Sequence, residues 1–299
     1  MNQPSFAICG RLFALLCCAS IGVIVAARLL GPLVADDVLA FTSLRDGNSD
    51  IFLLDVGRGL QVNLTRSRSI ETNPAWSTDG RLAFVSDRGG NFDVYVWDLL
   101  SGSIQVVSHS DYIDNYPTWS VDGRLAFATE NPASVSIMVL GAAHQGQAED
   151  VLTMQNARDL AWNGGRLALV SFNYGTSTIF LLDPQNGARH MERLNGSNAA
   201  GVRNDSPAWS PDGRWLAFTR WVGSNPEIFV RDERSGAERN ITNHHQVDDH
   251  PAWSPDGRYL VFESYRDGNA EIYMIDITSG TLRNLTQHAA NDYAPAWRP

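Results

Sequence analysis

The chain has 299 residues, of which 43% are hydrophobic and 19% charged, a composition typical of folded globular proteins and not of disordered ones. Its formal net charge is −10, and all 33 acidic residues lie after position 35. This acidic balance excludes the electrostatic attraction by which proteins bind nucleic acids or anionic lipid, so we expect cationic partners, metal ions or neutral ligands.

The first predicted element is an apolar segment over residues 1–35, either a cleaved signal peptide or an uncleaved membrane anchor. An uncharged run of sixteen residues extends from Leu12 to Ala27 and follows Arg11. Small-residue cleavage sites lie after Ala27 and Ala35, and the run approaches the ~20 apolar residues of a spanning helix if the following leucines are included. The basic residue before the run and the acidic pair after it predict a chain whose remainder lies outside the cytoplasmic membrane, periplasmic or extracellular.

After residue 35 a tryptophan-centred motif recurs along the chain. Its best copies read Pro-Ala-Trp-Ser-Pro-Asp-Gly-Arg, at residues 207–214 and 251–258. The six repeat tryptophans are Trp76, Trp119, Trp162, Trp209, Trp253 and Trp297. They stand 43, 43, 47, 44 and 44 residues apart, which is the period of one four-stranded propeller blade. We therefore predict an all-β, six-bladed β-propeller over residues 36–299.

The two ends of this region complement one another. Strands of the second, third and fourth type begin at Val38, but no Pro-x-Trp strand precedes them, whereas an orphan copy stands at Pro295 to Trp297. We predict that this C-terminal strand completes the first blade and closes the ring, which removes the exposed sheet edges of an open stack. The predicted blades are residues 36–65 with 295–298, 73–108, 116–153, 159–194, 206–242 and 250–286.

The repeat resembles a known family. The Pro-x-Trp-Ser-Pro-Asp-Gly-Arg motif is followed by an apolar strand ending in Ser, then by Arg-x-Gly-Asn, Ile-Tyr and Asn-Leu-Thr, as in the TolB-like propeller repeat, a WD40-like repeat also called PD40. The resemblance covers nearly all of residues 36–299. It implies a propeller with the Pro-x-Trp strand innermost and with function carried by loops. It also implies service to a periplasmic protein complex, although this chain has an apolar segment where the family's separate α/β domain would stand.

Polar residues just before each Pro-x-Trp strand form the candidate site. If that strand is innermost, as the resemblance implies, these residues surround one mouth of the central channel. The candidates are Asn73, Asp114, Asp159, Asp205, Asp249 and Asp292. Carboxylates gathered there would focus negative potential and bind a divalent cation such as calcium, an arginine-bearing peptide or a sugar. The alternative is that these side chains only form turns at the start of a strand.

Two further features are weaker candidates. Trp221 lies in a predicted loop, where an exposed aromatic side chain would anchor a partner or stack on a sugar, and packing against a neighbouring blade is the alternative. His245, Asp248 and His250 share one loop and are the candidate metal ligands, although no spacing matches a zinc signature. We expect no cofactor other than such a cation.

These patterns favour a membrane-tethered propeller outside the cytoplasm that acts as a protein- or ligand-binding scaffold or sensor. We expect no enzyme, because the chain contains no Gly-x-Ser-x-Gly elbow. The alternative is a metal-dependent polysaccharide lyase or hydrolase working in the channel, as similar propellers do. An enzyme would concentrate His, Arg, Lys or Tyr at the mouth, whereas this sequence places mostly Asp and Asn there. The expected partner is a protein, a peptide or a small ligand.

Overall fold

The fold is taken from a computed structural model that describes residues 37–142, 147–173, 176–184, 191–194 and 202–299. These residues form 24 strands in six four-stranded antiparallel sheets. The all-β, six-bladed propeller is thereby confirmed. The predicted signal peptide or anchor at residues 1–35 lies outside the described residues. Within the described ranges, the chain offers no helix of the length and apolarity that a membrane crossing requires.

Each blade runs from an innermost strand at the channel to an outermost strand at the rim. The strands of the first three blades, in order from the channel outward, are β24 (Asp292–Trp297), β1 (Val38–Ser43), β2 (Asp50–Asp55) and β3 (Leu60–Asn63); β4 (Glu71–Trp76), β5 (Arg81–Ser86), β6 (Asp93–Asp98) and β7 (Ser103–Val106); β8 (Ile113–Trp119), β9 (Leu125–Glu130), β10 (Val135–Leu140) and β11 (Glu149–Met154). Those of the last three are β12 (Arg158–Asn163), β13 (Arg166–Asn173), β14 (Thr176–Leu182) and β15 (Glu192–Arg193); β16 (Asn204–Trp209), β17 (Trp215–Val222), β18 (Asn225–Asp232) and β19 (Glu238–Asn240); β20 (Asp248–Trp253), β21 (Tyr259–Ser264), β22 (Glu271–Asp276) and β23 (Leu282–Asn284).

The C-terminal strand closes the ring as predicted. Strand β24 pairs antiparallel with β1, with Leu39 opposite Trp297 and Ser43 opposite Asp292. Apolar side chains continue across this junction, because Leu39 and Phe41 of blade 1 pack in one cluster with Val261 of blade 6. The first and last parts of the propeller are therefore held together both by a hydrogen-bonded ladder and by a shared core.

Every innermost strand contains a bulge just before its tryptophan. The pairing register shifts there in all six blades. The residue at each bulge has a positive φ of 48–54° although none is glycine, and these residues are Asn73, Tyr116, Asp159, Ser206, His250 and Ala294. A proline follows in five blades, and proline in a sheet is confined to edges and bulges because it lacks an N–H. The bulge turns one side chain per blade to the channel.

The repeat tryptophans pack between blades. Trp76, for example, is 6% exposed and joins Val38 and Ile51 of blade 1 to Phe84 of its own blade. An arginine from the preceding blade lies over four of the six indoles, with the Arg124 guanidinium 4.7 Å from the Trp162 ring as the nearest. The recurring Trp and Arg therefore hold one blade against the next.

Candidate functional site at the mouth of the channel

The central channel has two connected parts. The first, here called the polar mouth, is a cavity of about 150 Å³ whose polar lining consists of the bulge residues Asn73, Tyr116, Asp159, Ser206 and His250. The second is a cavity of about 480 Å³ lined by residues of the innermost strands, among them all six repeat tryptophans. Pro74, Pro117 and Pro207 line both cavities, so the two form one channel. The propeller face around the polar mouth is called the mouth face.

Two of the predicted ring carboxylates are buried and do not reach the mouth. Asp114 and Asp292 are both 0% exposed, as are Glu71, Asn204 and Asp248 at the first positions of other innermost strands. Asp114 accepts hydrogen bonds from the hydroxyls of Ser110 and Thr129. These side chains have structural roles, which agrees with the alternative that they only form turns at the start of a strand.

The partners of the other buried acids come from the Arg-x-Gly-Asn turns. Arg266 forms an ion pair with Asp248 at 2.8 Å, Arg88 with Glu71 at 3.0 Å, and Arg45 with Asp292. Each guanidinium also lies over two aromatic rings of its own blade, as Arg266 does over Phe262 and Tyr273. The turn thus supplies an arginine held between aromatic faces, which neutralises a carboxylate buried at the start of the innermost strand.

The charged groups that line the mouth or lie directly behind it belong to blades 4, 5 and 6. Asp159 is a bulge residue and lines the cavity. Asp205 accepts a hydrogen bond from Arg158 Nη2 at 2.7 Å, which commits that guanidinium. Asp249 accepts hydrogen bonds from the hydroxyls of Thr219 at 2.6 Å and Ser206 at 3.0 Å. The predicted acidic residues of these blades therefore lie in one hydrogen-bonded network behind and beside the mouth.

His250 is the positive charge of this network. Its Nδ1 lies 3.6 Å from Asp249 Oδ1 and 3.4 Å from Glu263 Oε2. Burial acts to lower the pKa of His250, but the Asp249 and Glu263 carboxylates outweigh it and raise the pKa to about 10. The imidazole is therefore an imidazolium at neutral pH.

The neighbouring carboxyl groups respond in opposite directions. Burial raises the pKa of Asp159, although His250 and Arg158 act against the rise. Burial would also raise the pKa of Asp249, but His250 and the hydrogen bond from Thr219 bring it below its usual range. Asp249 is therefore the partner of the imidazolium, whereas the effect of burial on Asp159 exceeds the compensation that His250 and Arg158 provide.

Blades 1, 2 and 3 make the opposite side of the mouth neutral. They contribute Ala294, Asn73 and Tyr116. The Asn73 side-chain amide donates to Asn115 Oδ1 at 2.7 Å, and burial together with the nearby Asp159 raises the pKa of the Tyr116 hydroxyl. Sequence reasoning named Asn73 and Asp159 at the mouth, and missed Tyr116 and Ser206. Tyr116 and Ser206 could have been found from their position, because each stands immediately before the proline of a Pro-x-Trp motif.

Trp221 lies in strand β17 and not in a loop, which corrects the sequence interpretation. Its indole N–H donates to Asp205 Oδ2 at 3.0 Å, and the Arg203 guanidinium lies 4.0 Å from its ring centroid. The side chain is partly buried between these groups. Trp221 thus packs behind the charged side of the mouth, where it holds Asp205 by a hydrogen bond.

The candidate metal ligands do not converge. Asp248 is committed to Arg266, His250 to Asp249 and Glu263, and His245 packs against His244 with ring centroids 4.3 Å apart. In the part of the chain that the structure describes, no three or more His, Cys, Asp or Glu side chains are arranged to hold a metal ion. A calcium ion at the mouth stays a prediction.

Apolar side chains are exposed around the mouth, in the loops and strand ends of the mouth face. These side chains are Leu44, Ile70, Tyr112, Ile113, Phe172, Val222 and Tyr265. Four of them stand at or next to the end of the second strand of their blade. Leu44 follows β1, Phe172 is the last residue but one of β13, Val222 ends β17 and Tyr265 follows β21. The polar mouth therefore lies within an apolar rim, which we call the mouth rim.

Comparison with known proteins agrees with this architecture. The family model described as "TolB beta propeller domain" matches residues 35–161 and 157–299. The chain belongs to the TolB β-propeller family. This confirms the resemblance drawn from the repeat, and within the TolB family the Pro-x-Trp strand is here seen to be the innermost one.

Individual relatives extend the comparison. The Tol-Pal system protein TolB of Hahella chejuensis (strain KCTC 2396) is 34% identical over 79 residues, which are 23% of this chain and 18% of that protein. The crystal structure of TolB from Acinetobacter baumannii matches all of this chain and 74% of its own, with a TM-score of 0.76 and 20% identity. An oligogalacturonate lyase in complex with manganese matches 84% of this chain and 74% of its own, with a TM-score of 0.60 and 17% identity. The two structural likenesses show the shared fold.

Proposed function

We propose that this TolB-family propeller is a scaffold outside the cytoplasmic membrane, tethered by its N-terminal segment, whose mouth face binds a protein or peptide. The observation that carries the proposal is the mouth rim, in which exposed apolar side chains surround a charged cavity. Several exposed apolar groups on one face, beside polar ones, are typical of protein interaction sites in soluble proteins. The family supports a protein partner, since the curated relative is named as a component of a Tol-Pal system.

The location is proposed from the sequence. The apolar run at Leu12 to Ala27 and the acidic pair Asp36-Asp37 support export of the propeller, with either a retained anchor or a cleaved signal.

We further propose that binding, and not catalysis, is the role of the mouth. A channel-metal lyase needs carboxylate and imidazole ligands free to coordinate. Here Asp205 and Asp249 accept hydrogen bonds from neighbouring side chains, and His250 Nδ1 faces the carboxylates of Asp249 and Glu263. The lyase alternative has support only from a neighbour of similar fold.

Site-specific photo-crosslinking of the full chain in intact cell envelopes tests the scaffold role. A benzophenone amino acid is placed at Tyr265 or Phe172 in the mouth rim. The matched control is Leu100, which is 86% exposed and lies on the opposite face, in the turn after β6. We expect discrete crosslinked protein bands from the rim positions and none from Leu100.

The same experiment can refute the proposal. Equal crosslinking from Leu100 and from the rim would indicate non-specific contact. An absence of adducts at both rim positions, with the propeller folded and present in the envelope, would mean that the mouth face has no protein partner.

A further inference from the structure

The charges of the polar mouth are arranged as a dipole and not as a ring. Asp159 in blade 4 and His250 in blade 6 flank Ser206 of blade 5, and all three line the cavity. Ala294, Asn73 and Tyr116 face them from the other three blades and carry no charge. A symmetric ring of carboxylates would suit a point cation on the channel axis. A carboxylate and an imidazolium separated by one blade suit a ligand that carries both a positive and a negative charge or partial charge.

Asp159 has an unused acceptor facing the cavity. Its Oδ2 accepts the backbone N–H of Ser206 at 3.3 Å, and Arg158 Nε is 3.6 Å away, beyond hydrogen-bond distance. The Arg158 guanidinium donates instead to Asp205 at 2.7 Å. Among the described residues, nothing donates to Asp159 Oδ1, and this atom is not among the buried, unpartnered atoms of the structure. A carboxylate oxygen is therefore accessible to a donor in the cavity.

His250 has an unused donor at the same cavity. Its Nδ1 faces Asp249 and Glu263, and its backbone N–H donates to Asp249 Oδ1 at 2.7 Å. An imidazolium carries a second N–H at Nε2, for which the described part of the chain provides no acceptor. The side chain is 45% exposed and lines the mouth, so this donor is accessible to a ligand.

We propose that the polar mouth binds an α-ammonium group together with the oxygen next to it, as found in a free amino acid or at the amino end of a peptide. The ammonium group pairs with Asp159, and the adjacent carboxylate or carbonyl oxygen accepts the Nε2–H of His250. The cavity of about 150 Å³ matches a volume known to hold a group the size of benzene, about six heavy atoms, so it has room for the ammonium end of one residue.

This inference rests on the proposed function, because it names the ligand class of the same mouth. Bare divalent cations fit the site less well, because the imidazolium repels them and Asp159 is the one carboxylate among the described residues that line the cavity. Neutral sugars would give Asp159 Oδ1 no charged donor, so they would bind less strongly there than an ammonium group does.

Calorimetric titration of the full-length protein in detergent tests the inference. The probes are alanine, trialanine with a free amino end, the same peptide N-acetylated, and calcium chloride. We expect trialanine to bind, and acetylation to weaken its binding about tenfold or more because the charged donor to Asp159 is lost. Binding of alanine as well would indicate a free amino acid as the source, whereas binding of trialanine alone would indicate a chain end. Both results support the inference.

Variants assign the two contacts. Asp159→Asn should abolish trialanine binding, and His250→Gln should weaken it about tenfold. The matched control is Asp212→Asn, a turn residue on the opposite face whose carboxylate accepts from Ser210, which should bind as the parent does. If a mouth variant does not fold, the comparison of free and acetylated peptide on the parent protein still decides.

Three results would overturn the inference. They are equal binding of the acetylated and free peptides, unchanged binding by Asp159→Asn, and binding of calcium with no binding of either amino compound. Crosslinks from the mouth rim would persist in each of these cases if the scaffold role is correct, so failure of the ligand class is distinguishable from failure of the proposed function.

Discussion

Blade 5 departs from the arginine–carboxylate arrangement of blades 1, 2 and 6, and the departure gives a quantitative prediction. Asn204 stands where the other blades have Asp292, Glu71 and Asp248, and it is 0% exposed. Arg220 Nε donates to Asn204 Oδ1 at 2.9 Å, but Arg220 Nη2 and Asn204 Nδ2 are both buried without partners. Two donors therefore remain unsatisfied where blade 1 has a two-pronged ion pair between Arg45 and its acid.

In blade 5 the carboxylate that pairs with the arginine lies on the outermost strand and not on the innermost one. Arg220 Nη1 donates to Glu238 at 2.7 Å, whereas the corresponding nitrogen of Arg45 donates to the neutral Gln61. Asn204→Asp removes one unsatisfied donor and supplies an acceptor to the other, and each unsatisfied buried donor costs about 1–3 kcal/mol. Burial of a second carboxylate offsets part of this gain. We expect a net stabilisation of about 1–2 kcal/mol, which raises the melting temperature by about 2–6 °C.

Thermal and urea denaturation of the full chain measure this change. The double variant Asn204→Asp/Glu238→Gln reproduces the blade 1 arrangement around the arginine but also removes the ion pair between Arg231 and Glu238, so it should keep only part of the gain. The reverse change Asp248→Asn should destabilise by about 3 kcal/mol or more. Arg220 should lower the pKa of the new carboxyl, so the gain is present above the unfolded Asp pKa of about 3.9 and is lost as the pH falls through the folded value. Loss of stability in both Asn204 variants at neutral pH would refute the reasoning.

Three further predictions follow from closure, topology and His250. Deletion of residues 293–299 should open the ring, lower the melting temperature and promote association through the freed edge of β1; an unchanged melt and a monomeric state would contradict closure. Protease added to spheroplasts should digest the propeller and spare cytoplasmic markers, and protection of the propeller would remove the proposed location. The raised pKa of His250 contributes stability that is fully present below about pH 6.5 and is lost as the pH rises towards 10. Denaturation midpoints should therefore fall over this pH range in the parent protein and fall less in His250→Gln. Parallel pH profiles of the two proteins would show that His250 does not cause the change.

The fold could be predicted from the sequence because the residues of the repeat each favour a particular local structure. The six tryptophans set the blade period, and the Asp-Gly turns and alternating strands set the four strands of each blade. The pairing of Trp297 with Leu39 followed from the complementary ends. These features are local or periodic, so one sequence reveals them.

The site was only partly predictable, because a shift of one or two residues along an innermost strand changes what a side chain faces. Asp292 and His250 belong to adjacent copies of the motif, yet one is buried against an arginine and the other lines the channel. The bulge that separates these two positions has a backbone conformation that non-glycine residues seldom adopt. A proline follows the bulge in five blades, but the bulge residue itself is of a different type in every blade. The pairing of each acid with a distant arginine is a tertiary contact, invisible to the pattern of charges.

Closure by β24 also fixes the order in which the propeller can be completed during synthesis. Blade 1 contains the first described strands of the chain, but its innermost strand follows every other strand in the sequence. Until β24 emerges, the inner edge of β1 has no partner, and the mouth lacks Ala294 and Pro295. A chain synthesised from its amino end therefore keeps the inner edge of β1 unpaired until β24 has been made. The channel is complete only when β24 is in place, so a propeller that lacks this strand has no complete mouth.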